Sequence, residues 1–500
     1  MMAGDRFQWV GYWFNPIHQE VPSGFSVIFL RLRRNIQVIA KLERNKEEGN
    51  MQQCQADITI DCSKPAGSFR RIHGTNVGPI YRQGAYNACE FFKQVRFPTV
   101  RLHDCPHACF DVVDVPCIFP LFHLDPADPA NYVFRATDSY IQSILDCDCG
   151  IVYRLGVSLR RRPEFSGLTD PPADFKKWAD ICIQIIRHYN EGWAGGFHHN
   201  IRYWEIWNEA DNGATQWNGT YESFIAFFIT AAKRIKAVCP DISIGGPAFN
   251  GSIRNSRDKL HSFLPKLRDT GCPLDFLSWH TYPDSAGEIA VASREVRAIL
   301  DHYGFTKTEN HLNEWNMAPF PGGFKGMRAT PQTERDFFAY KNSSAGASLA
   351  ATCLIAMQDL PLDMTNYYSS MNFNYGMFSF QGLPHKPYYA FRALTTLMDA
   401  SPERLAVSGS DPDHGLAVLA GLAADGSRIS MFLANHGSDR DRWTIDLDRA
   451  PRSMEEAQIL CIDPEHDLQT VCDAISVQGN RISLHMPRHT VGLANLLVAK

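Results

Sequence analysis

Two polar pairs stand where apolar strands should end. Asn208-Glu209 closes the run YWEIWNE, and Asn313-Glu314 closes HLNE. A carboxylate buried at the tip of an apolar strand is costly unless it is paired. Two carboxyl groups facing one another suit the breaking of a glycosidic bond. One, protonated, donates to the leaving oxygen, while the other, ionised, attacks the anomeric carbon; a gap of ~5 Å suits retention and ~7–9 Å inversion. Environment divides the roles, because apolar surroundings raise a carboxyl pKa whereas cations and hydrogen-bond donors lower it. Glu209 lies in sequence beside Trp204, Trp207 and Trp217, which fits the acid. Arg101 and Tyr282 could reach Glu314 and keep it ionised, which fits the nucleophile.

Other strand ends carry ionisable groups. VRLHD ends in Arg101, His103 and Asp104, and DFLSWHTY ends in His280 and Tyr282. Asp104 either hydrogen-bonds a sugar or caps its loop. Trp315 and Asn316 follow Glu314 and either meet substrate or pack. In HDCPHAC, His103, Cys105, His107 and Cys109 alternate. They lack the paired C-x-x-C knuckles of structural zinc, so loop thiols are expected and no metal or organic cofactor. Arg160, Arg161 and Arg162 in RRRPEF either take a sugar carboxylate bidentately or form a solvated charge run.

The elements that must position these groups alternate from residue 71 to 400. Strand-like runs at 71–79, 99–104, 150–157, 201–209, 242–249, 275–282, 308–316 and 364–370 each precede a helix-like run, the seventh of them at 339–357. The run at 175–190 places Phe175, Trp178, Ile181, Cys182, Ile185, Ile186 and Tyr189 on one helical face. Eight such pairs predict an α/β fold, a (β/α)₈ TIM barrel, whose sites lie at the C-terminal ends of the strands. No glycine-rich phosphate fingerprint follows the first strand, which argues against a doubly wound sheet. Beyond 400 the runs are short, alternating and broken by Gly, Asp and Pro, as in an antiparallel β-sandwich. The expected divisions are 1–70, whose strands join the sandwich, 71–400 for the barrel, and 401–500 for the sandwich.

Hydrophobic content of 44% in 500 residues allows a large core, and a net charge of −5 gives no footprint for nucleic acid or an anionic membrane. Aromatics at 12% suit sugar stacking or a bulky core equally. The N-terminal stretch lacks a signal-peptide pattern, so a cytoplasmic protein is expected, with its 14 cysteines reduced.

The segments EIWNEAD, HLNEWN, DFLSWHTY and VRLHD, on those strands, resemble the glycoside hydrolase clan with catalytic glutamates on strands four and seven. The likeness is nearest to family 39, home of β-xylosidases and α-L-iduronidases. It spans roughly residues 56–400, and the trailing sandwich suits that family's layout. The resemblance implies Glu209 as acid/base and Glu314 as nucleophile. Asn208 would bind the sugar 2-hydroxyl, Arg101, His280 and Tyr282 would line the nucleophile and its subsite, and His103 would touch the sugar. It further implies a retaining, exo-acting enzyme on short oligosaccharides or glycosides, β-xylosidase-like. Arabinofuranosidase-, galactosidase- and uronic-acid-directed activities, and an inactive carbohydrate-binding barrel, stand as alternatives. Association into homo-oligomers is also implied. Two departures stand out: Ala210 follows the strand-four pair where proline is usual, and Asn313 precedes the strand-seven glutamate at a variable position.

Overall fold

The computed structural model describes residues 56–498, apart from 82–85, 106–111, 159–167, 252, 319–329, 372–374, 380 and 451–453. Arg160, Arg161, Arg162, His107 and Cys109 therefore lie outside the described residues.

Eight parallel strands close into a barrel. In chain order they are His73–Asn76, Thr99–Leu102, Gly150–Leu155, Tyr203–Ile206, Ser243–Phe249, Phe276–Thr281, Glu309–Trp315 and Met364–Tyr367, and the last pairs with the first. Helices wrap the outside. The helix Phe175–Glu191 starts where the Asp174 carboxylate accepts from the backbone N–H groups of Lys176 and Lys177, and it stops at Gly192 in the left-handed region. Its stripe of Trp178, Ile181, Cys182, Ile185, Ile186 and Tyr189 is buried against the barrel, each aliphatic side chain contributing about 1.5–3 kcal/mol.

The single helix expected over 339–357 is two, Pro331–Lys341 and Ser344–Ala356. The break falls at Asn342-Ser343, where the Ser343 hydroxyl accepts from the Ala345 N–H and restarts the helix. Local capping thus overrides continuous helical periodicity. The second helix is built of small residues because it is buried on every side, between the barrel and a sheet.

That sheet has ten strands and curls on itself. Ala56–Ser68 lies within it, antiparallel to Glu403–Ser408 and parallel to Arg442–Asp448. Alternation decides its two faces. Val418, Met431, Leu433, Trp443 and Ile445 fill the inside of the curl. Ala417, Leu419, Phe432, Ala434 and Leu493 face the other way and merge with the barrel's apolar core.

One expectation about cysteines changes. Cys89, at the start of the helix Cys89–Val95, and Cys147, just past the end of the helix Arg135–Leu145, form a disulfide, their Cα atoms 5.7 Å apart, within bridging distance. No helix among the described residues is long and apolar enough to cross a membrane.

Candidate active site

Arg101, on the second strand, is fully buried at the centre of the barrel mouth. Its Nε donates to Glu205 Oε2 at 2.7 Å, and its Nη2 to Asn208 Oδ1 at 2.7 Å. Its Nη1 donates to Asn76 Oδ1 at 3.2 Å and to Glu314 Oε2 at 3.1 Å. A planar guanidinium thereby ties the first, second, fourth and seventh strands together at one point. Buried cation and buried carboxylates neutralise one another; either alone would be expensive.

Glu314 owes its aim to a bulge. Leu312 pairs with Trp279 and Glu314 with His280, leaving Asn313 as an extra residue. Asn313 and Glu314 consequently both face inward, and the Asn313 amide donates to Glu205. Tyr282 donates its hydroxyl to Glu314 Oε1 at 2.5 Å. Trp315 is thrown outward by the same bulge. It packs on Tyr367 and Phe391 with ring centroids 5.0 and 6.3 Å away. That placement matches the packing alternative for Trp315. Asn316 knits the end of the seventh strand to the eighth, its amide donating to the Tyr368 carbonyl at 2.5 Å.

Glu209 sits just past the fourth strand with φ 47°, a left-handed backbone rare outside glycine. Trp207, Asp104 and Ala248, at neighbouring strand ends, share that trait. Such strain gathers at functional mouths. The Glu209 N–H donates to the Ala248 carbonyl at 3.0 Å, which fixes the turn. Two residues on, Asp211 accepts from the Asn250 N–H at 3.1 Å and from Ser256 Oγ at 2.5 Å.

His280 stands between the two carboxylates. Its Nδ1 is 2.7 Å from Glu209 Oε1 and 3.7 Å from Glu314 Oε2. One oxygen from each glutamate and one ring nitrogen all lie within 4.8 Å of one another. Burial lowers the His280 pKa to about 4, with Glu314 opposing. Its lowered pKa favours the neutral ring, and its Nδ1 shares one hydrogen bond with Glu209 Oε1.

Burial raises both carboxyls. Glu209 is pushed up to about 7; Asp104 adds to the rise, while Arg101 and Asn212 oppose it. Glu314 is also raised by burial; His280, Arg101 and the Tyr282 hydroxyl oppose the rise, and Glu209, as a like charge, adds to it. The tryptophans expected to surround Glu209 face the helices instead. Trp204 stacks on Tyr153, and Trp207 packs between Trp178, Trp217 and Phe227. The apolar environment of Glu209 is thus not made by those rings.

His103 is buried beside the mouth with Nε2 3.6 Å from Asp104 Oδ1. Asp104 Oδ2 accepts from the Tyr368 hydroxyl at 2.6 Å. Cys105 is buried, its Sγ 3.6 Å from the His103 carbonyl. Sequence reasoning passed over Asn76, Glu205 and Tyr368. Glu205 carried a usable signal: a carboxylate in mid-strand within YWEIW must face the barrel interior and requires a cation there.

Paired glutamates at the ends of the fourth and seventh strands of such a barrel mark a glycoside hydrolase. Within that class the chain belongs to a defined family: the family described as "Glycosyl hydrolases family 39" matches residues 121–433. A beta-xylosidase of Caldicellulosiruptor saccharolyticus is 23% identical over 435 residues, 76% of this chain and 78% of that protein. Among solved structures, a glucosidase from Croceicoccus marinus superposes with a TM-score of 0.72 at 23% identity, covering 90% of this chain and 100% of the other. A monomeric beta-xylosidase from Caulobacter crescentus CB15 gives 0.62 at 15% identity, covering 89% and 100%. The solved structures attest the fold. The substrate of this enzyme is a carbohydrate.

Proposed function

We propose that the enzyme is a retaining, exo-acting β-xylosidase that releases one sugar at a time from short oligosaccharides, with Glu209 as acid/base and Glu314 as nucleophile. The observation that carries this is the approach of the two glutamates, within 4.8 Å at their nearest placed oxygens across a shared His280. Inversion needs a wider gap, ~6.5–9.5 Å, to admit a water. The pentose assignment draws on the beta-xylosidase relative.

The surroundings support the division of roles. Glu314 takes two direct donors, from Arg101 and Tyr282, which favour its ionised form. Glu209, pushed up to about 7, keeps its proton until a leaving oxygen needs it. In the first step a Glu314 oxygen bonds to the anomeric carbon, the glycosidic bond breaks, and the Glu209 proton passes to the departing oxygen. In the second, Glu209 takes a proton from water, which displaces Glu314 and regenerates both groups. Asn208, held by Arg101 Nη2, is placed for the sugar 2-hydroxyl.

The test is chemical. Glu314→Ala should lose turnover and, with azide, convert an aryl β-glycoside into the azide of inverted configuration. Glu209→Ala should spare substrates with good leaving groups and give the azide of retained configuration. The opposite pairing of variant and anomer reverses the assignment. An aryl-glycoside panel with xylose, glucose, galactose, arabinose and glucuronic acid decides the sugar, and hydrolysis of none of them favours a binding protein.

A further inference from the structure

The accessory sheet touches the barrel at its active-site rim, and two of its contacts fall on loops that carry aromatic partners of the site. Its turn Pro412–His414 packs against the start of the helix Ala286–His302: a Cβ added at Gly287 would lie 3.4 Å from Asp413 Cγ. The next turn of the sheet comes in behind. The His436 N–H donates to the Gly415 carbonyl at 2.7 Å. Gly415 has φ 82°, and a Cβ there would meet the His436 carbonyl at 1.8 Å, so only glycine permits this approach. The His436 ring then reaches Ser348 Oγ through Nδ1 at 2.9 Å and faces the backbone of Ala345 and of Asp284. Asp284 is two residues from Tyr282.

The second contact is at the start of the helix Lys386–Ala400. Lys386 Nζ donates to Asp467 Oδ1 at 2.7 Å and to the His466 carbonyl at 3.0 Å, both on the sheet. Its neighbour His385 donates its N–H to the Met377 carbonyl at 2.8 Å. That loop carries Tyr375, whose ring stands 5.4 Å from Tyr282 and 5.8 Å from Tyr368. The two clamped loops therefore meet at the contact of Tyr282 with Tyr375, and Tyr282 is the residue that donates to Glu314.

We infer that the accessory sheet is a positioning device for the reaction, and that His436 and Lys386 are positioning residues which hold the Tyr282 hydroxyl on Glu314. Neither touches substrate. The pair acts at two points so that the Tyr282 and Tyr375 rings cannot swing away from the carboxylate. Burial beside His489 and Arg488 lowers the His436 pKa to about 4, so the contact keeps its neutral form across the working range. The groups facing Glu314 itself are Arg101, Glu209, His280, Tyr282 and Tyr368, none of them on the sheet. This inference rests on Glu314 being the nucleophile.

The experiment is His436→Ala, read as kcat, KM and the pH dependence of kcat/KM on an aryl xyloside. A misplacement of Tyr282 should lower kcat by about 10–100-fold with KM little changed. It should also move the acidic limb of kcat/KM to higher pH, because the Tyr282 hydrogen bond that lowers the Glu314 pKa is loosened. His436→Asn, which keeps a nitrogen donor toward Ser348 Oγ, should recover most of both. Should His436→Ala fail to fold, Lys386→Ala breaks the second anchor at a surface ion pair and should move kcat and the limb in the same directions, by less. Full kcat with unmoved limbs in a folded variant overturns the inference, and so does a loss of kcat with the limb in place. A wild-type enzyme that hydrolyses no aryl glycoside overturns the functional reading instead.

Discussion

Tyr282→Phe is the sharpest probe of how Glu314 is kept ionised. The substitution removes one oxygen and leaves the ring against Tyr375. The lost contact is a 2.5 Å hydrogen bond from a hydroxyl to a buried carboxylate. Hydrogen bonds to charged groups are worth about 1.5–3 kcal/mol, and one pKa unit corresponds to about 1.4 kcal/mol. If all of that bond favours the ionised form, Glu314 rises by about 1–2 units. Arg101 Nη1 remains 3.1 Å from the other oxygen, so the rise does not reach that of a carboxylate buried alone. The sign follows: Glu314 must be ionised in the free enzyme, so the acidic limb of kcat/KM moves upward. The basic limb belongs to Glu209 and stays. The assay is kcat/KM for an aryl xyloside from about pH 4 to 9, with melting temperature as a control. An acidic limb within about 0.3 units of wild type, in a folded variant, refutes the role given to the Tyr282 hydroxyl.

Three further outcomes follow from the same geometry. Asp104→Asn removes a charge that raises Glu209, so the basic limb of kcat/KM should shift to lower pH, measured by the same profile. Glu205→Ala leaves Arg101 buried without its 2.7 Å partner and should cost about 3–5 kcal/mol of stability in urea denaturation. Glu209 is raised from 4.5 to about 7 on folding, so its contribution to stability is present below pH ~4.5 and lost as pH rises to about 7. Glu209→Gln should accordingly match wild type near pH 4 and exceed it at pH 8, by at most about 3 kcal/mol.

Much of the molecule was legible in its residues. Eight alternations of strand-like and helix-like runs defined the barrel, several helices carrying a stripe such as that of Phe175–Glu191. Rim positions followed from that, so Arg101, Asn208, Glu209, His280, Tyr282 and Glu314 were expected to meet, and the structure brings them together. What escaped depends on register. Period-two alternation runs without a break, yet the seventh strand contains a bulge, and that one residue sends Trp315 outward and Asn313 inward. The break at Ser343 was hidden because capping is a local hydrogen bond rather than a period. Asn76 was hidden because only three-dimensional closure shows that one arginine must satisfy strands on both sides of it, whereas Glu205, a mid-strand carboxylate, carried a signal that was passed over.

The pairing of Glu209 with Glu314 across one sugar is tested most directly by trapping the covalent intermediate. The enzyme is incubated with a 2-deoxy-2-fluoro xylosyl fluoride, which slows both steps but the second more, then digested and analysed by mass spectrometry. One sugar on the peptide containing Glu314 is the predicted result, with no adduct in Glu314→Ala. A sugar on any other residue, or normal turnover that releases the inverted anomer with no adduct at all, contradicts it.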